Sequence, residues 1–394
     1  MKTNYLEQAS RRIERYAVKY EDSPWKANFH FFFWSLTQLF RFRRKQMRPK
    51  QDEICRIAFE LMGGIGDIIL TLNYIQNFSR FLDVKHVIDL YVPSDPELCE
   101  TMKILCCGQD FVRHLHSNRL RRGDYDLHIE IVRCPALLYV NRPKIAALSP
   151  KLLKWCDTNN QFQQENPLIY CHGGPGDYLS TRLAILQGRN RIQQADIGNL
   201  IGVEPTFRPK IFIDRQETLT KFGLIDTPFI TLQRGVGNGV DRNYSTKLWP
   251  HEYYESLISQ LRERFPQTKT VQVGAESSLL MQNADVDLRG KTSFEEVMVI
   301  LTASRCHIDG ECGLVHLRHF LDTGSGVVLF GSTDEHFFGY PENINLRSDV
   351  CPGGCEWITT NYFRQCVCGF EQNECLVRLS PEAVLGKVTE VLSR

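Results

Sequence analysis

A glycine-rich turn near residue 65 combines free backbone N–H groups with a carboxylate, which are groups that can bind a ligand or accept a proton. The chain reads Gly63-Gly-Ile-Gly-Asp67 directly after an alternating apolar run and directly before apolar residues at helical spacing. This pattern predicts a strand, a tight turn and a helix, with backbone N–H groups and a carboxylate at the open end of the strand. Asp67 would act there as a general base or orient a hydroxyl group. The alternative is an ordinary acid in a first helical turn, where the helix dipole favours it.

The same turn partly matches a dinucleotide-binding fingerprint. Gly64 and Gly66 occupy the first two glycine positions, but Ile69 stands where the third glycine is required. Asp89 lies at about the expected distance for an acid that binds a ribose, although we predict it inside a strand rather than at its end. An NAD-dependent oxidoreductase therefore stays open as an alternative function.

A second strand–turn–helix unit lies in the other half of the chain and has an anion-binding composition. A strand is predicted to end at Ile308, and a helix begins near Gly313 without an acidic residue in its first turn. The free N–H groups of Gly313 and Leu314 would bind a diphosphate, and Glu311 would accept hydrogen bonds from sugar hydroxyls. An ordinary turn without a ligand is the alternative, and His316, one turn later, fits a packed histidine.

Lys247 stands between a glycine-rich loop, residues 234–247, and a helix predicted to open at Trp249-Pro250. A lysine at the mouth of such a loop suits the charge of a phosphate. Taken alone, the residue would more simply be a solvated surface lysine.

Cysteines are concentrated near the C-terminal end of the chain. Four thiolates in a tetrahedral array suit zinc or a single iron ion, so we predict a structural metal loop without a catalytic role. The spacing differs from that of standard zinc ribbons and fingers, which leaves reduced thiols or a disulfide as the alternative. Of the fourteen cysteines, five fall in this loop: Cys351, Cys355, Cys366, Cys368 and Cys375.

Size and composition indicate a soluble globular protein. A chain of 394 residues can hold two domains of ordinary size, and its apolar fraction of 42% and charged fraction of 24% are ordinary for soluble proteins. The net charge of +1 gives no overall reason to expect nucleic acid. No segment approaches the ~18 consecutive apolar residues of a membrane span. We expect reduced thiols in the cytoplasm, since no secretory signal opens the chain.

Residues 1–53 are predicted to form a helical extension in front of the first domain. An aromatic stretch from Phe29 to Phe40 is followed by a basic run from Arg41 to Lys45. The stretch either packs against the main body or a second subunit, or lies at a membrane interface with its arginines on anionic headgroups. The protein would accordingly be cytoplasmic, with or without peripheral contact to the inner membrane.

Strands and helices alternate in two blocks, which predicts two doubly wound α/β domains that face each other across a cleft. We place the first domain at residues 54–207 and the second at residues 208–394, with the cysteine loop at 351–375. The stretch Leu168–Asp177 is predicted to be a loop because it is rich in glycine. Predicted strands include Val87–Val92, Tyr125–Val132, Pro228–Gln233, Thr270–Val273 and Gly326–Phe330.

Taken in order, five segments resemble motifs of the heptosyltransferase-type glycosyltransferases, glycosyltransferase family 9, which are inverting enzymes with the GT-B fold. Each motif alone is weak, but five in the correct order are fairly specific, and the resemblance covers roughly residues 54 to 390. The segments are Gly63-Gly-Ile-Gly-Asp67-Ile-Ile-Leu, Lys247-x-Trp-Pro250, Asp287-Leu-Arg-Gly290 with Thr292-Ser-Phe-Glu-Glu296, Glu311-Cys-Gly-Leu-Val-His-Leu317, and Val328-Leu-Phe-Gly-Ser-Thr-Asp334.

The resemblance implies two Rossmann-like domains, the first binding mainly the acceptor and the second mainly a nucleotide sugar. It implies that Asp67 is the catalytic base beside an acceptor-side loop with Gly64 and Gly66, and that no catalytic metal is needed. Family members usually carry Asp at the position of Glu311 and Ser or Thr at that of Cys312, so the identity of the sugar stays open. The expected donor-binding residues are Lys247, Gly274, Glu311, Cys312, Gly313, Leu314, His316 and Thr333.

The cysteine loop and the run Phe337-Phe-Gly-Tyr-Pro-Glu-Asn343 resemble the branch that glycosylates bacterial autotransporter proteins with heptose and carries a metal-binding cysteine motif. That resemblance implies ADP-heptose as donor and, as acceptor, a protein serine or the lipopolysaccharide core. A non-enzymatic, metal-stabilised binding protein is a further alternative, while basic residues are not concentrated in a way that favours nucleic acid. The implied ligands of a structural zinc or iron ion are Cys351, Cys355, Cys366 and Cys375, with Cys368 as the substitute.

Overall fold

The computed structural model describes most of the chain beyond residue 52. The described ranges are 53–92, 96–117, 124–170, 174–234, 245–359, 362 and 364–393. The predictions for the N-terminal extension, including its aromatic stretch and its membrane or subunit contact, fall on residues 1–52, outside the described ranges. Most of the glycine-rich loop before Lys247, residues 235–244, also lies outside them.

The first half of the described chain forms an α/β domain around one sheet. Its elements are β1 (Cys55–Leu61), α1 (Ile65–Phe81), β2 (His86–Tyr91), α2 (Pro96–Cys106), β3 (His114–His116), β4 (Leu127–Ile131), β5 (Pro135–Val140), α3 (Arg142–Leu148), α4 (Pro150–Glu165) and α5 (Pro175–Leu186). The strand order is β3-β2-β1-β4-β5, with β1 to β4 parallel and β5 antiparallel to β4. The order therefore reverses between β1 and β4, at the switch point where doubly wound sheets bind ligands.

The second half repeats this architecture. Its elements are α6 (Arg215–Lys221), β6 (Phe229–Leu232), α7 (His251–Arg264), β7 (Lys269–Gln272), β8 (Val286–Asp287), α8 (Phe294–Ala303), β9 (His307–Gly310), α9 (Gly313–Phe320), β10 (Val327–Leu329), α10 (Glu335–Phe338), β11 (Ile344–Leu346), α11 (Glu374–Val377) and α12 (Pro381–Leu392). All the paired strands are parallel, in the order β11-β10-β9-β6-β7-β8. Counted from β8, this is the Rossmann order, with the switch point between β6 and β9.

Local sequence accounts for the main elements of both sheets. The central strand β1 is buried at five of its seven positions, as expected for a parallel strand with helices on both faces. At the start of α8, Ser293 accepts from the N–H of Glu296 and the Glu296 carboxylate accepts from the N–H of Ser293, which is the predicted capping box. The predicted strands agree with the structure to within one or two residues at each end.

One element prediction is wrong. The stretch Leu168–Asp177 is not a single loop, because a 3₁₀ turn covers Pro167–Tyr170 and α5 begins at Pro175. Proline is favoured in the first turn of a helix, and Gly174 stands at the N-cap position. Asp177 therefore lies on a helix, where its buried carboxylate has a fixed direction. The proposed domain boundaries at 53/54 and 207/208 stay predictions.

The two domains are packed against each other through apolar side chains. The largest hydrophobic cluster includes Phe59, Phe78 and Trp155 of the first domain together with Val315 and Phe320 of the second. Helices α1 and α9, which leave the two switch points, are in direct contact. Within the described residues, no helix is both long enough and apolar enough to cross a membrane.

Candidate active site

The two switch points meet at a glycine contact. Gly66 lies in the first turn of α1, and Gly313 is the first residue of α9. A Cβ on Gly313 would come within 3.3 Å of the backbone nitrogen of Gly66, and a Cβ on Gly66 would lie 2.6 Å from the ring of His316. A side chain at either position would crowd the other domain, so the two glycines allow the close approach of α1 and α9.

Asp67 lies in the first turn of α1 and is held by arginine. Its Oδ1 accepts a hydrogen bond from Nη2 of Arg191 at 2.6 Å, and its Oδ2 lies 3.4 Å from the N–H of Gly64. Burial would raise the pKa of Asp67, but the charges of Arg133 and Arg191 hold it below its ordinary value of 3.8. The side chain is still 27% exposed. Asp67 is therefore a carboxylate at neutral pH that a hydroxyl group can approach.

Two buried arginines at this site were not singled out from the sequence. Arg133 follows β4 at the switch point, and its Nε donates to Oδ1 of Asp177 at 3.2 Å. The backbone N–H of Arg191 donates to the carbonyl of Phe337 in the second domain at 2.9 Å. A signal for Arg133 was present, because it comes directly after the predicted strand Tyr125–Val132. The segment around Arg191 carries no comparable pattern.

Lys247 lies between two carboxylates rather than in solvent. Its Nζ is 3.0 Å from Oε2 of Glu311 and 3.3 Å from Oε1 of Glu356, and all three side chains are largely buried. Burial would lower the pKa of Lys247, but the two carboxylates raise it above its ordinary value. Burial would raise the pKa of Glu311, but Lys247 and His316 lower it. Lys247 and Glu311 are thus both charged at neutral pH.

His316 joins this cluster to the core. Its Nε2 lies 3.2 Å from Oε1 of Glu311, and its Nδ1 lies 2.6 Å from the hydroxyl of Tyr340. The residue is buried, and its ring fills the space beside Gly66. This placement agrees with the packing role considered from the sequence, and its donor-binding role stays a prediction.

The turn before α9 faces the domain contact. Cys312 occupies the N-cap position of α9, but its side chain makes no capping hydrogen bond. Its thiol donates instead to Oδ2 of Asp309 at 2.8 Å. The contact of a diphosphate with Gly313 and Leu314 stays a prediction.

The other predicted donor residues follow neighbouring strands of the same sheet. Gly274 follows β7 and has a positive φ of +130°, whereas Thr333 follows β10 and is buried. Because parallel strands end at the same edge, both residues share that edge with Lys247 and Glu311. Their contact with a donor stays a prediction.

Asp89 is not placed to bind a ribose. It is buried inside β2, where its carboxylate accepts hydrogen bonds from Nε of Arg113 at 2.9 Å and from the hydroxyl of Tyr125 at 2.7 Å. The NAD-dependent alternative therefore loses the acid on which it depended.

The C-terminal cysteines are close to one another. The pKa of Cys375 is raised to about 12. Burial is the main cause, and the nearby thiolates of Cys351, Cys355 and Cys366 add to it. Burial, and after it the neighbouring thiols of Cys351 and Cys366, raise the pKa of Cys368. All cysteines in the described ranges are free thiols. Across those ranges, however, no group of three or more His, Cys, Asp or Glu side chains is arranged to hold a metal ion.

Comparison with protein families gives one match to the second domain. Residues 213–352 match the family model described as glycosyltransferase family 9 (heptosyltransferase). This match confirms the family resemblance for the second domain, where four of the five motifs lie. No curated protein matches the chain.

Solved structures share the two-domain fold. A family 9 glycosyl transferase from Veillonella parvula DSM 2008 is 15% identical, with 88% of this chain and 99% of that chain covered and a TM-score of 0.56. The iron-containing dodecameric glycosyltransferase TibC from enterotoxigenic E. coli H10407 is 15% identical, with 88% and 77% covered and a TM-score of 0.55. A TibC structure in complex with ADP-D-beta-D-heptose is 14% identical, with 88% and 77% covered and a TM-score of 0.56. These similarities confirm the predicted pair of parallel-sheet domains.

Proposed function

We propose that this chain is a glycosyltransferase of the heptosyltransferase type, which transfers a sugar from a nucleoside diphosphate to a hydroxyl group with inversion at the anomeric carbon. The position of Asp67 carries the proposal. An ionised, partly exposed carboxylate at one switch point lies across a glycine contact from the Lys247–Glu311 cluster at the other. A sugar between the two switch points would have a base on one side and a cation on the other.

The reaction follows from that placement. The acceptor oxygen attacks the anomeric carbon from the face opposite the diphosphate, and Asp67 accepts its proton as the new C–O bond forms. The bond to the diphosphate breaks, and the leaving oxygen takes the electron pair. Lys247 uses two of its three N–H donors on Glu311 and Glu356, which leaves the third for a phosphate oxygen. Closure of the domains would exclude water and limit hydrolysis of the donor.

We further propose ADP-heptose as the donor, and as the acceptor either a serine of an autotransporter adhesin or the lipopolysaccharide core. Support comes from the heptosyltransferase family match and from the TibC complex with ADP-D-beta-D-heptose. The Gly313–Leu314 amides, with Cys312, Gly274 and Thr333, would line the donor side of the cleft. Gly64 and Gly66 would line the acceptor side.

A screen of nucleotide sugars by thermal shift tests this function. ADP-heptose at 100 times its Kd is expected to stabilise the folded protein by about 2.7 kcal/mol, which raises Tm by several degrees. NAD is expected to leave Tm unchanged. Mass spectrometry of a candidate acceptor should then show one added heptose, and NMR of the product should show the inverted anomer. Absence of a shift with every nucleotide sugar would contradict the proposal.

We also propose that Cys351, Cys355, Cys366 and Cys375 hold a structural zinc or iron ion, with Cys368 as the substitute ligand. Support comes from the proximity of the thiols and from the preference of zinc and iron for sets of four thiolates. Binding would require the side chains to turn toward a common centre. The ion would fix the loop and take no part in the transfer.

Metal analysis of the purified chain tests the cysteine site. We expect about one zinc or iron ion per chain, the stoichiometry of a single tetrahedral site. The Cys375→Ser variant is expected to lose the ion and to have a lower Tm, because metal binding contributes directly to folding. Cys107→Ser, which changes an exposed thiol elsewhere, is the matched control. A chain that folds normally without bound metal would refute the site.

A further inference from the structure

Two buried charged side chains, one from each domain, each present an atom without a partner. Nη1 of Arg133 and Oε2 of Glu356 have no hydrogen-bond partner among the described residues. Arg133 is 6% exposed and Glu356 is 8% exposed. Buried polar groups are almost always paired, and leaving a charged one unpaired is costly. The two atoms therefore suggest a ligand that supplies the missing hydrogen bonds.

Both side chains are fixed through their other atoms. Arg133 is held by the hydrogen bond from its Nε to Asp177 at 3.2 Å. Glu356 is held by Lys247, 3.3 Å from its Oε1, and its backbone N–H donates to the carbonyl of Ser332 at 3.0 Å. The free atoms thus have directions that the fold sets in advance.

Helix α5 links the segments that carry the two side chains. Its first turn carries Asp177, which holds Arg133, and further along it carries Arg182. Arg182 donates to the carbonyl of Gly354, two residues before Glu356. Gly354 has a positive φ of +59°, and a Cβ there would overlap the guanidinium of Arg182, so the approach requires glycine.

Electrostatics agrees with this placement and adds Asp67. Burial would lower the pKa of Arg133, but the charges of Asp177, Asp67 and Glu356 raise it above its ordinary value. Arg133 therefore lies close enough to both Asp67 and Glu356 to feel their charges. The unpaired atom of Arg133 is therefore part of the environment of Asp67, the proposed base.

The chemistry of the two atoms selects the ligand. A guanidinium N–H can only donate, and a carboxylate oxygen can only accept. A sugar hydroxyl does both, so the hydroxyls of one sugar ring can pair with both atoms. An ionised phosphate oxygen can only accept, so it would leave Oε2 of Glu356 unpaired, and an apolar group would leave both atoms unpaired.

We propose that Arg133 and Glu356 form a hydroxyl-binding subsite that orients a sugar ring at Asp67. The inference rests on the proposed function and adds a determinant of sugar specificity to it. The ring belongs either to the transferred sugar or to a glycan acceptor, and the same variant separates the two.

The Glu356→Gln variant tests the subsite, because it keeps the volume and an oxygen for Lys247 but removes one accepting oxygen. If the transferred sugar is the ligand, Kd for ADP-heptose rises about 10–100-fold, the cost of losing a hydrogen bond to a charged group, while Kd for ADP is unchanged. If the acceptor is the ligand, both constants stay the same and KM for a glycan acceptor rises by that factor. Glu390→Gln, in an exposed pair with Lys387, is the matched control and should change none of these values.

Two results would overturn the subsite. One is a folded Glu356→Gln variant with wild-type constants for donor and acceptor. The other is an equal loss of affinity for ADP and ADP-heptose, which would mean that Glu356 acts on the diphosphate through Lys247. If wild type itself fails to bind ADP-heptose, the proposed function fails instead.

A second measurement uses the wild-type chain, so it tests the subsite even if the Glu356→Gln variant does not fold. Single-deoxy analogues of ADP-heptose and of a glycan acceptor are compared with their parents. At least one missing hydroxyl should weaken binding about 10–100-fold, since it leaves Arg133 and Glu356 unpaired. Equal binding of all analogues would refute the subsite.

Discussion

Replacing Asp67 with asparagine is expected to lower kcat for sugar transfer by about 10²–10⁴-fold, the range for loss of a positioned general base. Asparagine has nearly the same shape and keeps an oxygen for Arg191, but it cannot take the proton of the acceptor. Binding of the nucleotide sugar should be unchanged, because Asp67 faces the cleft from the other domain. Single-turnover transfer and calorimetric titration of the donor measure the two quantities.

The matched control for Asp67 is Asp157→Asn, which changes an exposed carboxylate paired with Arg142 on the surface. It should retain wild-type turnover. A folded Asp67→Asn variant with normal turnover would remove Asp67 from the chemistry. A large loss of donor affinity would instead move it to the donor site.

The pH dependence provides a separate check on the base. The folded-state pKa of Asp67 lies below 3.8, since Arg133 and Arg191 outweigh the effect of burial. The base is therefore ionised at all higher pH values and is lost only as pH falls through that depressed pKa. Replacing Arg191 with methionine removes one of the two charges, so the acid limb of kcat/KM should move to higher pH. An unmoved acid limb would contradict this account.

Replacing Lys247 with methionine is expected to have the second large effect, on both stability and donor binding. The change leaves the buried carboxylates of Glu311 and Glu356 without their shared cation. Breaking a buried ion pair by removing one partner costs about 3–5 kcal/mol. Donor affinity should fall as well, because the cation proposed for the diphosphate is gone. Urea denaturation and calorimetric titration measure the two losses.

The double variant Lys247→Met/Glu311→Gln separates the two effects. It removes one of the two carboxylates left unpaired, so part of the lost free energy of unfolding should return. Donor affinity should stay low, because no cation has been restored. If the single variant binds the donor as tightly as wild type, Lys247 has no role in donor binding.

The stability of this ion pair also has a defined pH window. The folded-state pKa of Glu311 lies below its ordinary 4.5, and that of Lys247 lies above its ordinary 10.5. The contribution of the pair to stability is therefore complete between pH 4.5 and 10.5. It is lost as pH falls through the folded-state pKa of Glu311 or rises through that of Lys247.

Local sequence patterns predicted the elements around the site well but not the partners of its charged side chains. The strand before Gly63, the helix opening at Gly313 and the capping box at Ser293 were all predictable, and all are present. The prediction of a loop at Leu168–Asp177 was wrong. It relied on the high glycine content and gave too little weight to Pro175, which begins a helix. The burial of Lys247 between two carboxylates was not foreseeable, since Glu356 is more than a hundred residues away along the chain.

By itself, the sequence determined the two doubly wound domains and the strand ends at which the candidate site residues lie. Apolar periodicity, glycine turns and helix caps act over a few residues, so they are visible in the order of the amino acids. Only the tertiary structure decided that Arg133, Arg191 and Glu356 join Asp67 and Lys247. Those contacts depend on strand order and on the docking of one domain against the other, and burial then gives each charge a partner that no local pattern specifies.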